Sequence, residues 1–201
     1  MICCGGRYCS RSCVRNCSLV DRTRFLLAWS TPSPKLGTTK GPPFPDSYAI
    51  PSLSSSQGEF IYNSAREIGR SDSRRFSERL GLTDGLDRLS SGPVHFAHAG
   101  WALVDILEDS APTMDDSYYL HYYHPNTFES ETLKQRGRTL SSCGCLFSAG
   151  YSAGWCSDAF SVEVHGREIR CLSRGDATCE FIMAPVARLD EHQARLPGAK
   201  G

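Results

Sequence analysis

A chain of 201 residues has room for one compact core or two small ones, and its charge is balanced, with 22 Lys and Arg against 22 Asp and Glu. Zero net charge supplies no field favouring phosphate backbones or anionic membranes, so direct nucleic-acid binding is not expected. The best apolar stretch, Phe25 to Trp29, is far shorter than the roughly eighteen residues of a membrane span. It runs into Pro32 and Pro34 without a small-residue cleavage site, so it does not read as a secretory signal, and a cytoplasmic protein is expected.

In that setting the ten cysteines read as metal ligands or reduced thiols rather than disulfides. Cys3, Cys4, Cys9, Cys13 and Cys17 crowd the first residues, and Cys143, Cys145, Cys156, Cys171 and Cys179 form a second group. Residues 1–32 are rich in Cys and Arg and lack a periodic apolar face, so they read as a disordered extension. The spacing of Cys9, Cys13 and Cys17 would nonetheless put them on one helical face, where they could ligate a metal. Residues 33–58 are dense in Pro, Ser, Gly and Thr, which bury too little apolar surface to offset ordering entropy, and read as a linker.

The folded region is expected over 59–185. Ile61, Ala65 and Ile68 recur at helical spacing, a further helical turn follows around Phe76 and Leu80, and Gly81 and Asp84-Gly85 break it. After Gly92-Pro93, the segment VHFAHAGWALVDILED alternates with apolar residues in both phases, which predicts a buried strand. SYYLHYYH predicts a second strand and TFESETLKQRGR a short helix. GCLFSAGYSAGWCSDAF predicts a helix whose Ala149, Gly150, Ala153 and Gly154 allow a close neighbour. VEVHGREIRCLSRGDATCEFIMAP predicts strands interrupted by turns at His165-Gly166 and Arg174-Gly175-Asp176, and 186–201 reads as a polar tail. The pattern predicts an α+β fold: an antiparallel sheet with packed helices, a ligand pocket and a metal-binding C-terminal hairpin.

Cys171 and Cys179 flank the last turn, so a hairpin there brings both thiols near one point. Glu168 lies three residues before Cys171, and sharing a site with it requires a bulge or strand end between them. Cys145, at the start of the preceding helix, completes a set of three thiolates and a carboxylate. Four protein ligands suit zinc in a closed structural role. Spacing alone leaves a second possibility open, that these cysteines are buried small apolar residues.

The stretch CLFSAGYSAGWCSDAF, then EIRC, then GDATCEF, resembles the 4-vinyl reductase domain family, which includes the N-terminal sensor domains of XylR-type aromatic-responsive transcription activators. The resemblance implies that Cys145, Glu168, Cys171 and Cys179 bind structural zinc, with Cys143 and Cys156 outside the set. It extends more loosely over about 60–185, through GPVHFAHAGWALVD and YYLHYYHPNTFESE. Sensors of this kind enclose an aromatic ligand whose hydroxyl meets a His and a Trp. Here Phe96 falls at the histidine position, with His95 beside it and His98 two residues beyond, and His124 falls near the tryptophan position. Phe96, Trp101, Tyr122, Tyr123 and Phe128 could line an apolar cavity, while His95, His98 or His124 supplies a polar contact.

The implied function is a zinc-stabilised sensor of a small hydrophobic or aromatic molecule with a signalling or transcription-regulatory role. No GxxxxGK[ST] phosphate loop or basic recognition helix is present, so output is expected through an effector partner. The resemblance implies a homodimer, for which the small-residue helix near Gly150 is one contact surface. No GxGxxG turn or acid–base pair at an open metal position stands out, so an enzyme is not expected. Two alternatives remain: a reductase-associated, tetrapyrrole-processing protein suggested by the family's name, and a non-catalytic scaffold similar in fold to vesicle-tethering subunits.

Overall fold

The structure, a computed structural model, describes residues 55–196. The Cys-rich extension, residues 33–54 of the expected linker and residues 197–201 lie outside the described residues. Helix α1 (Ser55–Leu80) starts inside the expected linker and runs unbroken for 26 residues. Its end is built as a Schellman motif: Gly81 takes φ +67°, while Leu82 N–H donates to Ser77 O and Gly81 N–H to Glu78 O. Its inward face is made of Tyr62, Ala65, Gly69, Ser73 and Ser77, whereas Ile68, read as a core position, is 44 % exposed. Small residues serve that face because another helix presses against it.

Helix α2 (Gly85–His98) is capped by Asp84, whose carboxylate accepts from Leu86 N (2.9 Å) and Asp87 N (3.3 Å). Here the expected strand is corrected: residues up to His98 are helical, and only Asp105–Ile106 (β1) is extended. Leu89, Gly92 and Phe96, at i, i+3 and i+7, form the buried stripe. The Gly92-Pro93 pair looked like a turn, but it lies within the helix. Pro93 removes the N–H that would reach Leu89 O, and Trp155 Nε1 (3.0 Å) and Ser91 Oγ (2.6 Å) donate to the neighbouring Arg88 carbonyl.

Strand β2 (Leu120–His124) and helix α3 (Phe128–Gln135), capped by Thr127, follow as expected. Helix α4 (Leu146–Phe160) is buried on nearly every side, consistent with its apolar, small-residue sequence. Strands β3 (His165–Arg170) and β4 (Cys179–Ala184) complete an antiparallel sheet of order β1-β2-β4-β3. His165-Gly166 is no turn but the start of β3; a Cβ on Gly166 would sit 2.6 Å from Ala149 O and against Met183, so glycine is required by close packing. Helix α5 (Leu189–Ala194), in the expected polar tail, covers the outer sheet face with Leu189 against Tyr119, Ile169, Ile182 and Ala184.

The main core lies between α1, α2 and α4 and the inner sheet face, where Leu120, Tyr122 and His124 of β2 stand beside Cys179, Phe181 and Met183 of β4. The glycine-rich face of α4, read as a dimer surface, is used inside the chain: Cβ atoms at Gly150 and Gly154 would lie 2.3 Å from Tyr62 O and 1.9 Å from Arg66 O of α1. Arg66 and Arg70 of α1 both bridge to Glu163 at the far end of this contact.

Helix α4 has no side-chain cap from Cys145, the residue preceding it. Glu129 of α3 reaches across instead and accepts from Phe147 N (2.8 Å), Ser148 N (3.2 Å) and Ser148 Oγ. Burial nevertheless raises the Glu129 carboxyl to about 7 against those lowering hydrogen bonds.

Two predictions follow from this packing. Gly154→Ala gains helix propensity of about 1 kcal/mol but drives a methyl into a backbone carbonyl, so a net loss of about 1–3 kcal/mol is expected in urea unfolding; unchanged or higher stability would show that α1 can yield. For Glu129 the folded pKa lies above the unfolded one, so its contribution is complete below about pH 4.5 and is lost as pH rises through 7. Relative to wild type, Glu129→Gln should remove roughly 1–3 kcal/mol of stability decline between pH 5 and 8; an identical decline in both proteins refutes it.

Candidate metal centre and aromatic cage

Four elements meet at one corner of the sheet. Cys145 stands at the head of α4, Glu168 on β3, Cys171 just beyond β3 and Cys179 at the first position of β4. The difficulty in the Glu168–Cys171 spacing is met by an irregularity: Glu168 pairs with Phe181 but Arg170 with Glu180, so the register shifts around Ile169. The connection from Cys171 to Cys179 is folded on Asp176. Its carboxylate accepts from Cys171 N (2.8 Å) and Arg174 Nε (2.9 Å), its N–H donates to Cys171 O, and Gly175 takes φ +99°.

The three sulfurs and a Glu168 oxygen all lie within 4.8 Å of one another. Cys145 Sγ is 3.9 Å from Cys171 Sγ and 3.7 Å from Cys179 Sγ. A disulfide would need about 2.05 Å, whereas two thiolates at 2.3 Å on a tetrahedral zinc ion are about 3.8 Å apart. All three cysteines are fully buried. Glu168 Oε2 accepts from Cys145 N (2.8 Å), and Oε1 is buried with no hydrogen-bond partner among the described residues. An orphaned carboxylate oxygen beside three sulfurs at this spacing fits a dipositive ion. Among the described residues no other group of three or more His, Cys, Asp or Glu side chains converges in this way.

Without a cation, the cluster ionises unevenly. Sulfur contacts with Cys171 and Cys179, and then burial, raise Cys145, while contacts with Cys145 and Cys179 lower Cys171 and favour its thiolate. Burial, then the Cys171 charge, raises Glu168 to about 8. Leu172 N–H donates to Cys179 Sγ (3.4 Å), and the Thr127 hydroxyl lies 3.2 Å from Cys145 Sγ. Cys143, half-buried nearby, is raised to about 12 by burial and Glu168, and Cys156 is buried apart from the cluster.

The residues proposed to contact a ligand divide into three groups. Phe96, Tyr122 and His124 come together on the inner face, where His124 stacks on Phe96 (5.6 Å) and meets Tyr122 (5.1 Å) and Phe181 (4.9 Å) edge-on. Trp101 packs edge-on to Phe96 (5.7 Å), and Trp101 and Phe128 line an open surface groove of about 420 Å³ with Ala97, Leu103 and Thr132. His98 and Tyr123 do not join the cage, and His95 borders it. His95 stacks on Trp155 (5.3 Å) and Tyr151 (6.2 Å) and meets Trp101 edge-on (6.4 Å), His98 is exposed in the last turn of α2, and Tyr123, the alternate residue of β2, faces the outer side. The strand expected over 94–109 would have placed the two histidines differently; the helix there carries His95 to the edge of the cage and His98 out to solvent.

The expected pocket is corrected in size. Between α2, α4 and the sheet, Leu89, Phe96, Tyr122, Trp155 and Cys156 line a partly open cavity of only about 30 Å³, against 300–1,000 Å³ for ordinary ligand sites. Tyr151 and Trp155, not singled out as ligand candidates, complete the aromatic cluster; their i, i+4 spacing in the quoted helix was the available signal. His124 is the exceptional residue. Its side chain is fully buried, its Nδ1–H donates to Leu103 O (2.7 Å), and its Nε2 has no partner among the described residues. Burial lowers it to about 4, so it is neutral at ordinary pH, with a free lone pair on Nε2.

No family model and no curated relative matches the chain. Solved structures do. The phenol-responsive sensory domain of the transcription activator PoxR, determined with phenol, aligns over 72 % of this chain and 72 % of its own, with TM-score 0.60 and 17 % identity. A vinyl-4-reductase family protein from Methanocaldococcus jannaschii aligns over 63 % of this chain and 68 % of its own (TM-score 0.44, 18 % identity). Trafficking protein particle complex subunit 3 from Naegleria fowleri, covalently bound to palmitic acid, aligns over 64 % and 80 % (TM-score 0.44, 16 % identity). The folded region of this chain therefore shares the fold of the PoxR sensory domain.

Proposed function

We propose that the chain is a zinc-braced sensor domain for a small aromatic or hydrophobic molecule, acting on an effector partner rather than as an enzyme. The observation that carries this reading is the buried, neutral His124 with an unpartnered Nε2 inside a cage of aromatic rings. An acceptor in that position is unsatisfied until a hydroxyl or N–H donor reaches it, and the surrounding rings suit a flat apolar body. The fold shared with a phenol-responsive sensory domain supports the same choice of ligand class. Cys145, Glu168, Cys171 and Cys179 would hold zinc, which when bound supplies a fixed charge that lets three thiolates and a carboxylate share one corner.

Binding requires the 30 Å³ cavity to expand. Helix α2 is the element that can give way, since it contributes only Leu89, Gly92 and Phe96 to the buried side and is interrupted by Pro93. A displaced α2 is also a means of output, because its outer face, with Leu86 and Val94 exposed, is where a partner or a second copy would register the change. No helix of the described residues is long and apolar enough to cross a membrane, and a cytoplasmic location is part of the proposal.

Native mass spectrometry with metal analysis should find one zinc per chain in wild type and none in Cys171→Ser, with chelation lowering the melting temperature; wild type free of metal would end the zinc assignment. For the cage, phenol should raise the melting temperature and toluene do so less, with the difference abolished in His124→Phe. Because His124 stays neutral above about pH 4, phenol affinity should be flat from pH 5 to 8. Phe96→Ala should lose about 3–5 kcal/mol of stability yet bind phenol more tightly, as room is made. If neither protein responds to any aromatic probe, the sensor reading fails.

A further inference from the structure

Thr127 is absent from the ligand set, yet it touches three parts of the molecule. Its hydroxyl is buried and lies 3.2 Å from Cys145 Sγ and 3.0 Å from Ser130 Oγ, and it accepts from Ser130 N–H (3.0 Å). Its backbone forms an antiparallel bridge with Ala102, and the next residue, Phe128, donates its N–H to Trp101 O at 2.8 Å. One residue thus links, by its side chain, the sulfur at the head of α4 and, by its backbone, the strip carrying both aromatic walls of the open groove.

The hydrogens can be accounted for. Ser130 Oγ–H donates to Thr127 O at 3.0 Å, so it is committed. A threonine hydroxyl carries one hydrogen and can accept through its lone pairs. Its hydrogen goes either to Ser130 Oγ or to Cys145 Sγ, and a metal-bound sulfur, having no hydrogen of its own, can only accept. The Thr127 hydroxyl donates to Ser130 Oγ in this structure, and an ion at the centre would leave Cys145 Sγ as a second acceptor for the same hydrogen.

We propose that Thr127 is a positioning residue that holds Cys145 for the metal and relays occupancy of the centre to the groove walled by Trp101 and Phe128. This rests on the metal reading above and gives the centre a second role, that of setting the order of the groove wall. Neighbouring outer contacts of metal ligands typically change affinity by about tenfold to a hundredfold when removed.

The test uses the full chain with Thr127→Val, which keeps the shape and removes the hydroxyl, and Thr127→Ser, which restores it; Thr127→Ala replaces valine should the latter fail to fold by circular dichroism. Zinc affinity is measured against a chromophoric chelator, the sulfur-to-metal absorption band is recorded with cobalt, and hydrogen exchange at the Phe128 amide is followed with and without zinc. The expected result is a loss of about tenfold to a hundredfold in zinc affinity for valine, a displaced cobalt band, and Phe128 protection that no longer depends on zinc, with serine restoring all three. Wild-type affinity in Thr127→Val overturns the proposal, and so does weakened affinity with zinc-dependent protection intact, since that leaves no relay. Wild type that takes up no zinc fails the metal reading itself and is distinguishable from both.

Discussion

Three sulfurs and a carboxylate oxygen within 4.8 Å of one another cannot all be anions in a buried corner unless a cation lies among them. As bare groups they share protons, with Cys171 ionised at the expense of Cys145 and with Glu168 pushed toward its neutral form. The corner is where α4, β3 and β4 are tied together, and the bulge in β3, the Asp176-centred turn and the start of α4 all serve that convergence. With a metal bound as proposed, this corner would supply cross-linking that a larger core otherwise provides.

The aromatic cage is built on the same strands. His124 is the cross-strand partner of Cys179, and Thr178 Oγ1 donates to His124 O, so the imidazole and a sulfur of the centre share one rung of the ladder. The cage itself is filled by its own rings, with Phe96 lying over His124. That arrangement satisfies packing while leaving His124 Nε2 and Tyr122 Oη buried without a hydrogen-bond partner among the described residues.

Much of this could be read from the residues alone. The GDATC turn, the two strands around it, the Tyr-rich strand, the α3 segment and the small-residue helix all follow from local rules: glycine where φ is positive, β-branched and aromatic residues in strands, and Ala and Gly at three- and four-residue spacing. Even the need for a bulge between Glu168 and Cys171 follows from the two-residue period of a strand. The reading failed where an apolar run of short length could satisfy either period. Phe96 and its neighbours alternate well enough for a strand, and only the contact of Gly92 with Trp155, with the support given to the Arg88 carbonyl, shows why a proline-containing helix is stable there.

The sequence by itself determined the chemistry available: which side chains can ligate, which turns must form, and that one helix carries a face stripped of bulk. Tertiary structure alone decided what that face meets, since only coordinates place the α1 carbonyls of Tyr62 and Arg66 against Gly150 and Gly154 and so assign it to the interior. It also decided that His124 lies buried with a free nitrogen while His98 turns out to solvent, because rotation about a helix axis and the closure of a cavity depend on contacts between residues distant in the chain, which no local spacing encodes.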